Sequence, residues 1–356
     1  MEPVKTGIIG QGVIGHHHLE AALKSEYTEL LAVADFYPDR MEDARNAGVE
    51  DTYTSGRELI DQADEVEAVI LAMPSGVRTS LALRALANGK HVLLEKPVAN
   101  NAREVEDLIE RRGDLVVGNC SLRHRLSDSA QAAEEFVATG ALGDIRRIHV
   151  RCFRAAGPKS DGVPPPWRQS FSLNGGGVLT NWGCYDLDYV LGIAGWQFRP
   201  RQVVAQWWPC LEKFSHFVAE DSDADSHFAA FVLGDDDSVL TIERGEFMPI
   251  QQENAWQIIG DGGSLHLDMV AGKDNRIIHD ATSVEEGVTP EAIWEGDESD
   301  NDISRRVLED FACAIREGRQ PHTSLEKALI IATITDAIYQ SAQQGSAVDI
   351  VGEWPL

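Results

Sequence analysis

Gly10-Gln11-Gly12-Val13-Ile14-Gly15 follows an apolar run, Val4–Ile9, and opens a segment with helical apolar spacing that runs to Lys24. Glycines at these spacings let a strand turn sharply, bring backbone against a pyrophosphate and pack the next helix closely. The start of that helix offers free N–H groups to the anion. Gly10, Gly12, Val13, Ile14 and Gly15 are therefore candidate contacts for a dinucleotide. Asp35 stands 20 positions beyond Gly15, at the end of the next apolar run, Leu30–Ala34. A carboxylate there accepts hydrogen bonds from ribose hydroxyls and repels a 2′-phosphate, which favours NAD over NADP. His16, His17 and His18 point in different directions at about 100° per residue, so they read as surface or packing residues rather than metal ligands.

These residues need a scaffold, and the rhythm of the first ~120 residues supplies one. Short β-branched runs (Val4–Ile9, Leu30–Ala34, Ala68–Leu71, His91–Leu94, Leu115–Val117) alternate with helical patterns, the signature of βαβ units on a parallel sheet. Beyond about Ile145 the rhythm changes. Longer strand-like runs at Ile145–Phe153, Gln202–Trp208, Phe228–Leu233, Val239–Glu243, Trp256–Ile259 and Ser264–Leu267 imply a mixed or antiparallel sheet. The acidic, turn-rich segment Ala281–Asp302 reads as a surface excursion, and Ile303–Glu317 and Leu325–Gln343 as helices. The expected fold is an α/β Rossmann domain over residues 1–122. An α+β domain with a large, open-faced mixed sheet follows over 123–356, its last helix able to pack back on the first domain.

The run Gly89 to Leu94 continues into Glu95-Lys96-Pro97, and a second motif runs Gly175-Gly176-Gly177-Val178-Leu179-Thr180-Asn181-Trp182-Gly183-Cys184-Tyr185-Asp186-Leu187-Asp188. With the N-terminal glycine motif, Pro74-Ser75, the Gly140–Ile145 turn and Trp167-Arg168, this pattern resembles the Gfo/Idh/MocA oxidoreductases over essentially the whole chain. The resemblance implies a nicotinamide cofactor held additionally by Pro74, Ser75, Glu95 and Lys96. A lysine at the C-terminal end of a parallel strand also sits where open α/β sheets bind ligands. There Lys96 could hydrogen-bond the hydroxyl being oxidised.

The family pattern G-G-G-x-x-x-D-x-G-x-H-x-x-D is altered twice: Asn181 replaces the aspartate and Tyr185 the histidine. Some members carry tyrosine at the second place and use it for the substrate proton, so Lys96 and Tyr185 form the expected acid/base pair. Asn181 can hold a substrate hydroxyl but carries no charge. Asp188 reads as structural or as an acceptor for a substrate hydroxyl. Trp167 and Arg168 could close over nicotinamide or sugar, a flat ring stacking on a pyranose and a guanidinium binding its oxygens. Arg123 and His124, where the chain leaves the first domain, are further candidates for substrate contact.

At 356 residues the chain has room for two domains, each with its own core. Thirty-one basic against 58 acidic residues give a net charge of -27, which disfavours nucleic acid and anionic membranes as partners. Its five scattered cysteines make neither a disulfide framework nor a CxxC metal site. The N-terminus lacks the basic, apolar and cleavage regions of a signal peptide, so a cytoplasmic location is expected. The resulting expectation is an NAD-dependent oxidoreductase moving hydride between a hydroxyl of a sugar, polyol or glycoside and the nicotinamide. Two alternatives are an NAD-dependent glycosidase with transient redox and a non-catalytic nicotinamide-binding regulator. A homo-dimer or homo-tetramer is a further expectation, with Trp207, Phe228 and Phe231 as candidate interface residues.

Overall fold

The computed structural model describes residues 2–352 except 160, 161, 163, 271, 300 and 301. Its first sheet is built from β1 (Val4–Ile9), β2 (Thr28–Ala34), β3 (Asp51–Tyr53), β4 (Ala68–Leu71), β5 (His91–Leu94) and β6 (Val117–Asn119). The connecting helices are α1 (Val13–Lys24), α2 (Glu42–Asn46), α3 (Gly56–Gln62), α4 (Ser75–Ala87) and α5 (Ala102–Arg112). All pairings are parallel, in the order β3-β2-β1-β4-β5-β6. The order reverses at the β1/β4 boundary, where open α/β sheets bind ligands. Ala68, Val69, Ile70 and Leu71 on β4 are all fully buried, as expected for a strand covered on both faces.

The next segment holds α6 (Asp128–Ala138), β7 (Ile145–Ala155), α7 (Phe171–Asn174), a π-helical turn at Leu179–Gly183 and α8 (Cys184–Ile193). The strands β8 (Pro200–Trp208), β9 (His227–Gly234), β10 (Val239–Met248), β11 (Glu253–Gly260), β12 (Gly263–Leu267), β13 (Asn275–Ser283) and β14 (Gly287–Gly296) follow. The chain closes with α9 (Ile303–Glu317), α10 (Leu325–Gln344) and β15 (Val348–Asp349). The second sheet runs β14-β13-β12-β11-β7-β10-β9-β8-β15, antiparallel except where β7 pairs with β10. One face is apolar: Val150, Phe228, Ile242 and Ile258 join Leu187 and Val190 of α8 and Ile334 and Ile338 of α10 in a single core.

Two sequence-based expectations change here. Residues 281–302 are not simply a surface excursion, because β13 and β14 pair as a hairpin that extends the sheet. Every β14 residue from Gly287 to Ala292 is exposed, so an edge strand with no buried alternation leaves no strand signal. Phe228 is also not an interface candidate: it is fully buried, whereas Phe231 is 46% exposed. An odd separation of three residues places them on opposite faces of the strand.

The chain forms two compact units, residues 1–123 with 302–329, and 124–301 with 330–356. The sequence reading puts 302–329 with the second domain, but α9 packs on α1, β1 and β5. Val307, Leu308 and Phe311 of α9 are buried. Arg316, at its end, fixes it with a two-pronged ion pair to Glu67 at 2.7 and 2.9 Å. Among the described residues no helix is long and apolar enough to cross a membrane.

Candidate active site

In the first unit the glycine turn has the geometry that its residue types require. Gly10 adopts φ +96°. An added Cβ at Gly10 would lie 2.5 Å from the carbonyl oxygen of Ala72, and one at Gly15 would lie 1.9 Å from the carbonyl oxygen of Gly10. A Cβ at Gly12 would meet nothing within 4 Å, so that backbone is open to close approach. Val13, at the start of α1, is 84% exposed, and the side-chain nitrogen of Gln11 is buried without a hydrogen-bond partner. Asp35 accepts the N–H groups of Gln11 at 2.7 Å and Tyr37 at 2.8 Å, which fixes its carboxylate at the end of β2. Open glycine backbone, a helix start, an orphan donor and an oriented carboxylate fit a dinucleotide. Gly10, Gly12, Val13, Ile14, Gly15 and Asp35 would hold it.

Lys96 is half-buried just past the C-terminal end of β5, and the Lys96–Pro97 peptide is cis. Glu95, expected to touch the cofactor, instead serves the scaffold. It is 3% exposed, with His18 at 2.8 Å and Arg123 at 2.6 Å on one carboxylate oxygen. Its other oxygen accepts the backbone N–H of Lys96 at 3.0 Å. Burial alone would raise the Glu95 carboxyl, but the Arg123 charge and the His18 hydrogen bond hold it well below the usual carboxylate range. Arg123, read as a substrate contact, is thus a buried counter-ion.

Ser75 is likewise turned inward. Its hydroxyl donates to Asn100 at 2.5 Å and ties the turn after β4 to the turn after β5. His18, Glu95 and Cys120 bring ligand-type atoms within 4.8 Å of one another. Burial pushes the Cys120 thiol well up, and Arg123 already supplies the positive charge, so this group reads as a neutralised ion-pair core.

In the second unit the triple glycine forms a wrapped turn. An added Cβ would lie 2.0 Å from the Tyr339 hydroxyl at Gly176 and 1.9 Å from the Asp225 carbonyl at Gly177. The buried Asp225 carboxylate accepts the N–H groups of Gly177 and Leu179, each at 2.9 Å, and the Tyr339 hydroxyl at 2.6 Å. This clamp aims the π-helical turn carrying Asn181 and Trp182 into α8, which carries Tyr185.

Tyr185 meets the His124 ring edge-on at 4.9 Å between centroids and the Trp182 ring at 5.7 Å. The structure thus brings His124, Trp182 and Tyr185 together. Beneath them Arg244 lies 5.1 Å from the Trp182 ring and forks onto Asp186 at 2.5 and 2.7 Å. The indole N–H of Trp256 completes that carboxylate at 2.9 Å. Asp188 has no exposed surface and bonds Arg125 at 2.8 Å, which makes it structural and not a substrate acceptor. Trp167 is 38% exposed, and Arg168 pairs with buried Glu246 at 2.8 Å.

Sequence spacing missed His18 and the Asp186–Arg244 pair. For His18 a signal existed, since Gly15, His18, Leu19 and Ala22 share one buried helical face. For Asp186 none did, because Arg244 is 58 positions away.

Two family models match the chain: "Oxidoreductase family, NAD-binding Rossmann fold" over residues 4–116 and "GFO/IDH/MocA C-terminal domain" over 130–266. The rhizopine catabolism protein MocA of Rhizobium meliloti is 30% identical over 200 residues, 55% of this chain and 58% of that protein. A D-xylose 1-dehydrogenase (NADP(+)) of Haloferax volcanii is 25% identical over 349 residues, 97% of this chain and 99% of its own. The chain spans little more than half the length of MocA and of several other curated relatives it matches. A solved levoglucosan dehydrogenase, in complex with NADH and L-sorbose, superposes with a TM-score of 0.82 at 21% identity. It covers 98% of this chain and 99% of its own, a likeness of fold. Matching models over both halves, on a glycine turn and a lysine-bearing strand built as described, make this chain a member of the Gfo/Idh/MocA oxidoreductase family.

Proposed function

We propose that the protein is an NAD-dependent dehydrogenase acting on a hydroxyl of a sugar, polyol or glycoside. The observation that carries this reading is Lys96, half-buried at the C-terminal end of β5 in the same parallel sheet that forms the glycine turn. When bound, NAD supplies the hydride acceptor. The ammonium of Lys96 holds the hydroxyl oxygen as it becomes a carbonyl. Tyr185, as phenolate, takes the hydroxyl proton. Asn181, Trp167, Arg168 and His124 orient the sugar, while Pro74 and Ser75 contribute the start of α4 to the cofactor site. The dehydrogenase names among the relatives agree with this reading.

The test is reduced-nicotinamide absorbance after mixing enzyme and NAD with inositols, aldoses, sugar acids and glycosides. Lys96→Ala and Tyr185→Phe should each lower kcat by about 10²–10⁴-fold with NAD binding kept. Unchanged turnover in a folded Lys96→Ala enzyme overturns the assignment.

We further propose a cytoplasmic homo-oligomer. The outer sheet face carries Val204, Phe231 and Trp208, at 52, 46 and 41% exposure, which supports pairing with a second copy. Five free cysteines agree with a reducing compartment.

A further inference from the structure

Within the second unit a cavity of about 250 Å³ is lined by Pro165, Pro166, His216, Phe217, Ala219 and Phe247, with Arg168 at its wall. The Phe217 and Phe247 rings lie parallel, 2° apart in plane and 4.8 Å between centroids. Phe247 takes φ +57°, in the left-handed region that bulky residues rarely enter, where β10 shifts register against β7. This conformation sets the phenyl ring against Phe217 instead of leaving it in the strand's regular alternation. Stacked phenyl rings and a proline wall give flat apolar surfaces, and an apolar cavity of about 150 Å³ is already enough to hold benzene.

The polar lining residues are Arg168, Gln169, His216 and Ser222, and the Ser222 hydroxyl donates to the Gln169 carbonyl at 3.1 Å. His216 Nε2 is buried with no hydrogen-bond partner. Arg168 is neutralised by Glu246, and the Gln169 amide is committed to the Ser226 hydroxyl at 2.9 Å. A neutral aromatic ring matches these walls. The neutralised arginine argues against an anionic ring.

The cavity is joined to the elements that carry the active-site side chains. The carbonyl oxygen of Arg168 accepts from the Asn174 amide at 3.5 Å. The same amide reaches the hydroxyl of Thr180, which immediately precedes Asn181, at 3.4 Å. Glu246 stands two positions beyond Arg244, whose guanidinium stacks on Trp182 and holds Asp186 beside Tyr185.

We propose that this cavity is a second subsite that takes the aromatic aglycone of an aryl glycoside, whose sugar ring occupies the Tyr185 site. The inference rests on the dehydrogenase reading and names a substrate class for it.

The test compares phenyl with methyl β-glycosides of glucose, galactose and xylose as substrates of the whole enzyme with NAD. The phenyl member of the accepted pair should show a KM at least about tenfold lower, as expected for burial of a phenyl ring. Ala219→Trp, which fills the cavity, and Phe217→Ala, which removes a wall, should each erase that difference and leave methyl glycoside turnover unchanged. Equal KM values in the unaltered enzyme, or a phenyl preference that survives both substitutions, overturn the proposal. If no sugar is oxidised, the dehydrogenase reading fails, and calorimetry with the phenyl glycosides then decides the subsite. Phenyl glycoside binding lost in Ala219→Trp supports it, and absence of binding to the unaltered protein overturns it.

Discussion

His18 Nε2, on the helix that opens the nucleotide turn, lies 2.8 Å from Glu95 Oε1, 77 positions further along the chain. The opposite oxygen of that carboxylate receives the backbone N–H of Lys96. One buried carboxylate thus fixes the helix beneath the dinucleotide and the peptide carrying the lysine.

Replacing His18 by leucine keeps a similar volume, removes its hydrogen bond to Glu95 and leaves the Arg123 ion pair in place. Loss of a hydrogen bond to a buried charge costs about 1–3 kcal/mol. Urea unfolding of His18→Leu should show that loss, together with a fall in kcat larger than any change in the KM for NAD. Unchanged unfolding would mean that the pair does not stabilise the turn.

Asp186 takes two bonds from Arg244 and one from Trp256, and none of its surface is exposed. Arg244→Met should cost about 3–5 kcal/mol, because the carboxylate is then buried without its counter-ion. Adding Asp186→Leu to that variant should recover part of the loss. Denaturant midpoints of the two single variants and the double variant, arranged as a double-mutant cycle, give the coupling.

Arg40 lies 3.9 Å from the Asp35 carboxylate and 4.5 Å over the Tyr37 ring. In Asp35→Ser the repulsion of a 2′-phosphate is gone and Arg40 is released to meet one. The kcat/KM ratio of NAD to NADP should drop by about tenfold or more, equivalent to about 1.4 kcal/mol. A ratio that stays constant would remove Asp35 from cofactor choice.

The Arg316 fork draws the Glu67 carboxyl down to about 2 from an ordinary 4.5. A depressed carboxyl stabilises the fold fully above about pH 4.5 and loses that contribution as pH falls towards 2. The stability gap between the unaltered protein and Arg316→Ala should therefore be largest near neutral pH and narrow between pH 4.5 and 3. Urea midpoints at pH 6, 4 and 3 measure it, and a gap that does not change with pH would contradict the assignment.

Strands β1, β2, β4 and β5 were legible because they are short apolar runs, and the glycine turn because its chemistry is local, whereas three-residue β3 was not read and β6, Val117-Gly118-Asn119, lies two residues beyond its expected place. The aromatic cluster was legible in part, since Tyr185 and Trp182 are three residues apart on adjoining helical turns. What spacing hides is any pairing made across the fold. In sequence Asp188 reads as structural or as a substrate acceptor, and its partner Arg125, 63 positions earlier, is not visible there. The β14 strand hides for another reason: its residues from Gly287 to Ala292 are all exposed, and Ile293 and Trp294, which pack on the core, come only near its end.

The first unit is not one stretch of chain. Helix α1 is packed by α9, which begins some 280 residues after α1 ends. A ribosome that has released only residues 1–123 therefore holds a nucleotide domain with an uncovered apolar flank. Strands β7 to β14 must emerge before that flank is closed. Completion of the cofactor-binding unit is thereby deferred until β7 to β14 of the other unit have been made, and an amino-terminal fragment ending at Arg123 should be aggregation-prone rather than a stand-alone dinucleotide-binding domain.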